Sequence, residues 1–280
     1  MCPTCLGKQA WLNQTRYVFE CQQCGRQTSP TTGTIMHRSH LPIQEWFWAA
    51  YLVSTHTPGI SALPLQRQLG IGGYQHAWHL LHRLRKGMVN DHRTKLSGLV
   101  EVDEAHIGGP VQGKKGRGVA AGAHKSLVVG AVEVLVYTDA QGPRRARAGR
   151  LRLEPIADAS GMALGAFLTQ HVEGGSNVRT DGWRGYSESA LEAYTHHVRV
   201  VGDPSQAPRR VPHIHRVFSH LTAWLNGTHH GVAPQHLPSY VDELVFRFNR
   251  RNTPMAAFQT LLGISTQKAP LPLPELVNRS

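Results

Sequence analysis

The chain has 280 residues, 40% of them hydrophobic, which is enough to bury cores in one to three domains. Thirty Lys and Arg against 18 Asp and Glu leave a formal charge of +12 and a pI near 10, before 18 His are counted. That surplus points to a polyanionic partner, because each cation that meets a phosphate releases condensed counterions. A membrane-spanning helix is excluded: no apolar signal segment follows Cys2, and the most apolar run, 46–53 (WFWAAYLV), falls well short of the ~20 residues a span needs.

The first 24 residues hold all four cysteines, as Cys2-Pro-Thr-Cys5 and Cys21-Gln-Gln-Cys24. Two CxxC pairs at this separation match a zinc ribbon, in which each tight turn aims two thiolates at one ion and the pairs complete a tetrahedral S4 site. With every ligand position filled by protein, Zn2+ here is structural; paired redox thiols are the alternative. Residues 11–20 (WLNQTRYVFE) between the pairs have hairpin character, with Arg16, Tyr17, Val18 and Phe19 expected in a strand. A segment this small buries little apolar surface, so the metal supplies its stability.

From residue 42 the pattern turns helical. A tryptophan-rich helix is expected at 43–54, a second at 60–69, a glycine turn at 70–73, and a third helix at 74–86 (YQHAWHLLHRLRK). In the third, Ala77, Leu80, Leu81 and Leu84 share one face at i, i+3, i+4, i+7 spacing. Gln75, His76, His79, His82, Arg83 and Lys86 lie largely elsewhere, the histidines as surface or phosphate-facing groups. Two short helices, a turn and a basic second helix describe a helix-turn-helix, whose second helix can enter a major groove. A plain helical hairpin with a solvated basic face fits the same pattern.

Beyond a polar linker at 90–97, strands are expected at 99–104, 126–137 and 150–156, then a helix at 160–171. A strand at 177–181, a short helix at 187–194, a strand at 197–201 and helices at 211–226 and 234–249 follow. Three strands and then strand–helix alternation indicate an α/β layer with mixed strand directions. Two basic loops stand out, 108–125 with Lys114 and Lys115, and 140–150 with Arg144 and Arg145; each reads as a phosphate-contacting loop or as a solvated hairpin tip. Asp103 and Asp181 are placed at strand ends, where catalytic groups gather in open α/β sheets. Two carboxylates converging there can hold a divalent metal that activates water; capping the following turn is the plainer role.

The segments 29–41 (SPTTGTIMHRSHL), 100–109 (VEVDEAHIGG), 178–186 (VRTDGWRGY), 227–232 (GTHHGV) and 236–251 (HLPSYVDELVFRFNRR) resemble, in the same order, those of insertion-sequence transposases with an ISXO-like DDE domain. The likeness runs from Cys2 to about Leu262. It implies an RNase H-like fold and DNA strand cleavage and transfer by an acidic triad using Mg2+ or Mn2+. Double-stranded DNA is then the partner, as transposon ends and target, with a homo-oligomer assembled on it in the cytoplasm at the nucleoid. Asp103 matches the first catalytic aspartate and Asp181 the second. Relatives with a full triad carry a Glu on the helix before the GT-H motif and a Lys seven residues later, which fall here on His215 and Thr222. Some subgroups instead carry an Asn five residues beyond the Glu, which falls on His220.

No carboxylate therefore stands at the third position. Imidazole suits Mn2+ better than Mg2+, which prefers hard oxygen donors. His215 and His220 are five residues apart on one helix, about 140° around its axis, so they cannot both face one metal. His215 takes the place and the 34-residue spacing of the Glu and is preferred, with His220 the alternative. Glu104, on the opposite strand face from Asp103, and Glu243 are fallback carboxylates. The expected division is a zinc ribbon over 1–34, a helix-turn-helix region over 35–97, the RNase H-like domain over 98–262 and a tail over 263–280. A decayed copy that only binds DNA, and a nuclease without strand transfer, are the competing readings. The absence of a leader before Cys2, unlike most relatives, fits a truncated start.

Overall fold

Trp11, Leu12, Tyr17 and Phe19 are all exposed, so the ribbon has almost no apolar core of its own. The computed structural model describes residues 1–108, 125–138, 142, 144–198, 211–272 and 275. In it β1 (Ala10–Asn13) pairs with β2 (Val18–Cys21), and β3 (Gln27–Thr28) adds to the hairpin. Arg16 and Tyr17 belong to the turn rather than to a strand. Tyr17 takes a positive φ of 50°, which a strand does not permit.

Helices α1 (Ile43–Thr55), α2 (Ala62–Leu69) and α3 (Tyr74–Gly87) follow. Gly70 ends α2 in the left-handed conformation at φ 65°, which glycine adopts without steric penalty. Ala77, Leu80, Leu81 and Leu84 are buried, as their spacing predicts, and they pack with Trp46, Ala49, Val53 and Leu65. The same core takes in Phe246, Ala257 and Leu261 from far downstream. The last two lie on α8 (Pro254–Ser265), a helix not among the expected elements, which packs against α1 and α3.

A five-stranded sheet forms the second body, in the order β6-β5-β4-β7-β8. β4 (Leu99–Ile107), β5 (Ser126–Thr138) and β6 (Arg144–Ile156) are antiparallel; β7 (Asn177–Thr180) runs parallel to β4, and β8 (Thr195–Val198) parallel to β7. This mixed sheet is the RNase H-like arrangement. α4 (Gly161–His171) leads into β7 and α5 (Glu188–Leu191) into β8; α6 (Pro212–His229) and α7 (Leu237–Asn249) come after the sheet.

Two cores cover the two faces. Val100, Val102, Val129 and Ala131 pack with Leu164, Phe167 and Leu168 of α4. Val128, Val132, Leu151 and Leu153 pack with Ile214, Val217, Phe218 and Leu221 of α6. Alternation along β4 therefore turns Asp103 toward α6 and Glu104 toward α4.

Three expectations are corrected. Asp103 lies within β4, with four more strand residues after it, because the strand runs on through the register down to Ile107↔Ser126. Arg144 and Arg145 are in β6 rather than in a loop, paired with Thr138 and Tyr137 and exposed where the β5–β6 ribbon outruns its neighbours. His82 is buried, stacked on Trp78 with ring centroids 3.8 Å apart. Lys114 and Lys115 lie outside the described residues.

Candidate active site

β4 and β7 are adjacent parallel strands in the register Glu101↔Arg179, and the same offset carried two residues further sets Asp103 level with Asp181. Asp103 is 4% exposed. Its carboxyl is pushed up to about 8, first by burial and then by the neighbouring Asp181, Glu104 and Glu101 carboxylates. Asp181, half-buried just past β7, accepts the Trp183 N–H at 2.9 Å through one oxygen. The turn-capping role is thus real and occupies one of its two oxygens. Gly182 permits that turn with φ 92°, and a Cβ on Gly185 would come within 2.7 Å of the Trp183 indole nitrogen. Tyr186 closes the motif by donating to Glu104 at 2.7 Å. Burial raises the Glu104 carboxyl as well, against that hydrogen bond.

The sheet floor decides how closely α6 approaches. Gly130 pairs with Asp103, and a Cβ there would lie 2.6 Å from Leu153 Cδ2 and 2.7 Å from Ile214 Cδ1. With only hydrogen at that point, α6 settles onto the strands and brings His215 Nε2 to 3.3 Å from Asp103 Oδ2. His220 and Thr222 are exposed on the same helix. His215 thus reaches Asp103 on β4, with Asp181 just past the end of the neighbouring β7. Their donor atoms are more open than those of the cysteines, the one group among the described residues whose ligand atoms all lie within 4.8 Å of one another.

In the cysteine group, Cys2 Sγ is 3.6 Å from Cys24 Sγ, and Cys5 Sγ is 3.5 Å from Cys21 Sγ. Backbone N–H groups of Cys5 and Thr4 lower Cys2 to about 6, and those of Cys24 and Gln23 lower Cys21. Against the Gly7 N–H, which lowers it, Cys5 is driven up to about 12 by Cys24, by desolvation and by the other two sulfurs. Four sulfurs this close ionise together only around a cation, which fits a thiophilic metal.

Helix α3 presents Gln75 and His76 at its exposed start, with His79 and Arg83 half-buried. Lys86, at the other end, donates its amine to the Pro270 carbonyl at 3.3 Å. Arg85, passed over in the sequence, is buried and pairs with Glu243 at 2.8 Å while lying 3.8 Å above the Tyr240 ring. Glu243 is fully buried, and Arg247 approaches its other oxygen at 3.6 Å. This carboxylate pins α3 to α7 and is not a spare metal ligand. His229 sits in the same aromatic cluster and is lowered to about 3, by burial and then by Arg85 and Arg247. Glu101, also passed over, is wholly buried. The available signal was its phase: in an apolar strand it shares a face with Asp103.

A family model described as the ISXO2-like transposase domain matches residues 95–249, from just before β4 to the end of α7. Among curated proteins, the chain is similar to an "Uncharacterized protein in transposable element ISH50" of Halobacterium salinarum, with 24% identity over 253 residues. That alignment covers 86% of this chain and 82% of the relative.

Proposed function

The chain belongs to the ISXO2-like transposase family, and on that premise we propose that it cuts and joins DNA at insertion-sequence ends at a site formed by Asp103, Asp181 and His215. The observation that carries this reading is the approach of His215 Nε2 to 3.3 Å from Asp103 Oδ2, beside Asp181. The cysteine ribbon, holding Zn2+, and the exposed start of α3 bind the ends, and copies assemble on the DNA.

The donor set fits a divalent ion. Burial and the neighbouring carboxylates push Asp103 up to about 8, and a divalent cation held by Asp103 and Asp181 would offset both effects. A divalent metal held there would supply activation of water for cutting and of a freed 3′-OH for joining, and would steady the leaving oxygen. Asp103 and Asp181 supply the hard oxygens, and the Asp181 oxygen that caps the turn holds its carboxylate in a fixed orientation. His215 contributes a neutral nitrogen where relatives have a carboxylate, which favours Mn2+ over Mg2+.

Nicking of a supercoiled plasmid carrying the element's own ends tests the reading. Wild type should nick with Mn2+ better than with Mg2+, and Asp103→Asn or Asp181→Asn should nick with neither. His215→Glu should keep or raise activity with Mg2+, while His220→Ala should behave as wild type. Joined products with a second plasmid separate a transposase from a nuclease that only cuts. The missing third carboxylate favours one rival, a copy that only binds DNA; intact end binding without nicking by wild type in either metal would establish it.

A further inference from the structure

We propose that Glu101 is a positioning residue that locks the three segments carrying Asp103, Asp181 and His215 into one site. The inference rests on the cutting function proposed above. Glu101 is fully buried on β4, two residues before Asp103 and on the same face. Its Oε2 accepts the backbone N–H groups of His213 at 2.7 Å and Ile214 at 3.2 Å. Its Oε1 lies 3.0 Å from His213 Nδ1 and 3.8 Å from Arg179 Nη1. Arg179 is on β7, two residues before Asp181, and His213 is on α6, two residues before His215. One carboxylate thus touches each segment at the same short distance in sequence from the group it must place.

The local sequence explains why the contact is needed. Val211 occupies the N-cap position of α6 and makes no side-chain cap bond. The N–H groups of His213 and Ile214 are among those that a helix leaves unpaired at its start. Glu101 pairs both from a different element and places a negative charge at the positive end of the helix. The apolar packing of Ile214, Val217 and Phe218 on the sheet is non-directional and would tolerate α6 sliding or rotating. Hydrogen bonds from the strand that bears Asp103 allow far less movement. They fix where along the helix axis His215 comes to rest, so Glu101 acts on the metal site without being a ligand.

The test is Glu101→Gln, which keeps the volume but turns an amide N–H₂ toward backbone donors. Mn2+ binding without DNA is read by electron paramagnetic resonance, with Asp103→Asn as the blank, beside nicking kinetics and thermal melting. Loss of an orienting partner typically weakens metal affinity by about 10–100-fold. Glu101→Gln should therefore bind Mn2+ at least about tenfold more weakly and lose kcat with little change in KM for DNA. Adding Val211→Thr supplies α6 with a local cap, restoring stability but not the tie to β4. The double variant should melt like wild type and still bind Mn2+ poorly, and it carries the test if the single variant does not fold. If the double variant recovers both, or if Glu101→Gln lowers the melting temperature with Mn2+ affinity and kcat within twofold of wild type, Glu101 is only a cap and the proposal fails. Wild type binding no more Mn2+ than the blank would instead overturn the metal-site reading, and this inference with it.

Discussion

Asp103→Asn should stabilise the fold while abolishing the chemistry, and the size of the gain can be worked from the structure. An unfolded Asp ionises near 3.8, whereas Asp103 in the fold is pushed to about 8 by burial and neighbouring carboxylates. Between those values the folded state holds a proton that the unfolded chain has released. Stability therefore falls as pH rises, by about 1.4 kcal/mol per pH unit. Across the whole window the ceiling is roughly 6 kcal/mol, and relaxation around the carboxylate reduces it to a few kcal/mol. Asn carries no charge at any pH, so the variant should match wild type near pH 4 and outlast it at pH 8. The assay is denaturant or thermal unfolding of both proteins from pH 4 to 8.5, with zinc retained and Mg2+ and Mn2+ omitted. Mn2+ added at pH 8 should raise the wild-type midpoint and leave the variant unmoved. A gap between the two proteins that does not widen with pH would refute the reasoning.

Metal analysis should find one zinc per chain, lost in Cys21→Ser, with the ribbon hairpin becoming protease-sensitive because its apolar side chains are already exposed. Gly130→Ala should cost about 1–3 kcal/mol of stability by overpacking against Leu153 and Ile214, and should reduce nicking more than end binding, since it lifts α6 from Asp103. Gln75→Ala with His76→Ala should weaken discrimination between end and random DNA by about tenfold or more. Lys86→Ala should change the salt dependence of binding little, because that amine already faces the Pro270 carbonyl; a salt slope reduced by one full unit would place Lys86 on a phosphate instead.

Sequence reasoning succeeded where structure is local. The CxxC turns, the apolar face of α3 and the strand order around Asp103 and Asp181 depend on neighbours a few residues away. It failed where a distant partner decides. His82 reads as outward-facing because it is basic, yet it packs against His236 and Tyr240, and Arg85 was passed over although Glu243, 158 residues on, neutralises it. Arg144 and Arg145 read as a loop because strand propensity is low there, and pairing with Tyr137 and Thr138 overrides it. The approach of His215 to Asp103 depends on the missing side chain of Gly130, which no spacing rule reveals.

The packing of Phe246, Ala257 and Leu261 into the core of α1, α2 and α3 also governs the order in which this protein can come into being. Domains emerging from the ribosome generally fold as they appear, but here the first helical core waits for covers encoded some two hundred residues later. Until then Trp46, Leu65 and Leu84 lack their closing layer, and a premature stop anywhere in the sheet leaves them so. Truncated products should consequently be cleared by proteolysis rather than persist as stable competitors for the element's ends.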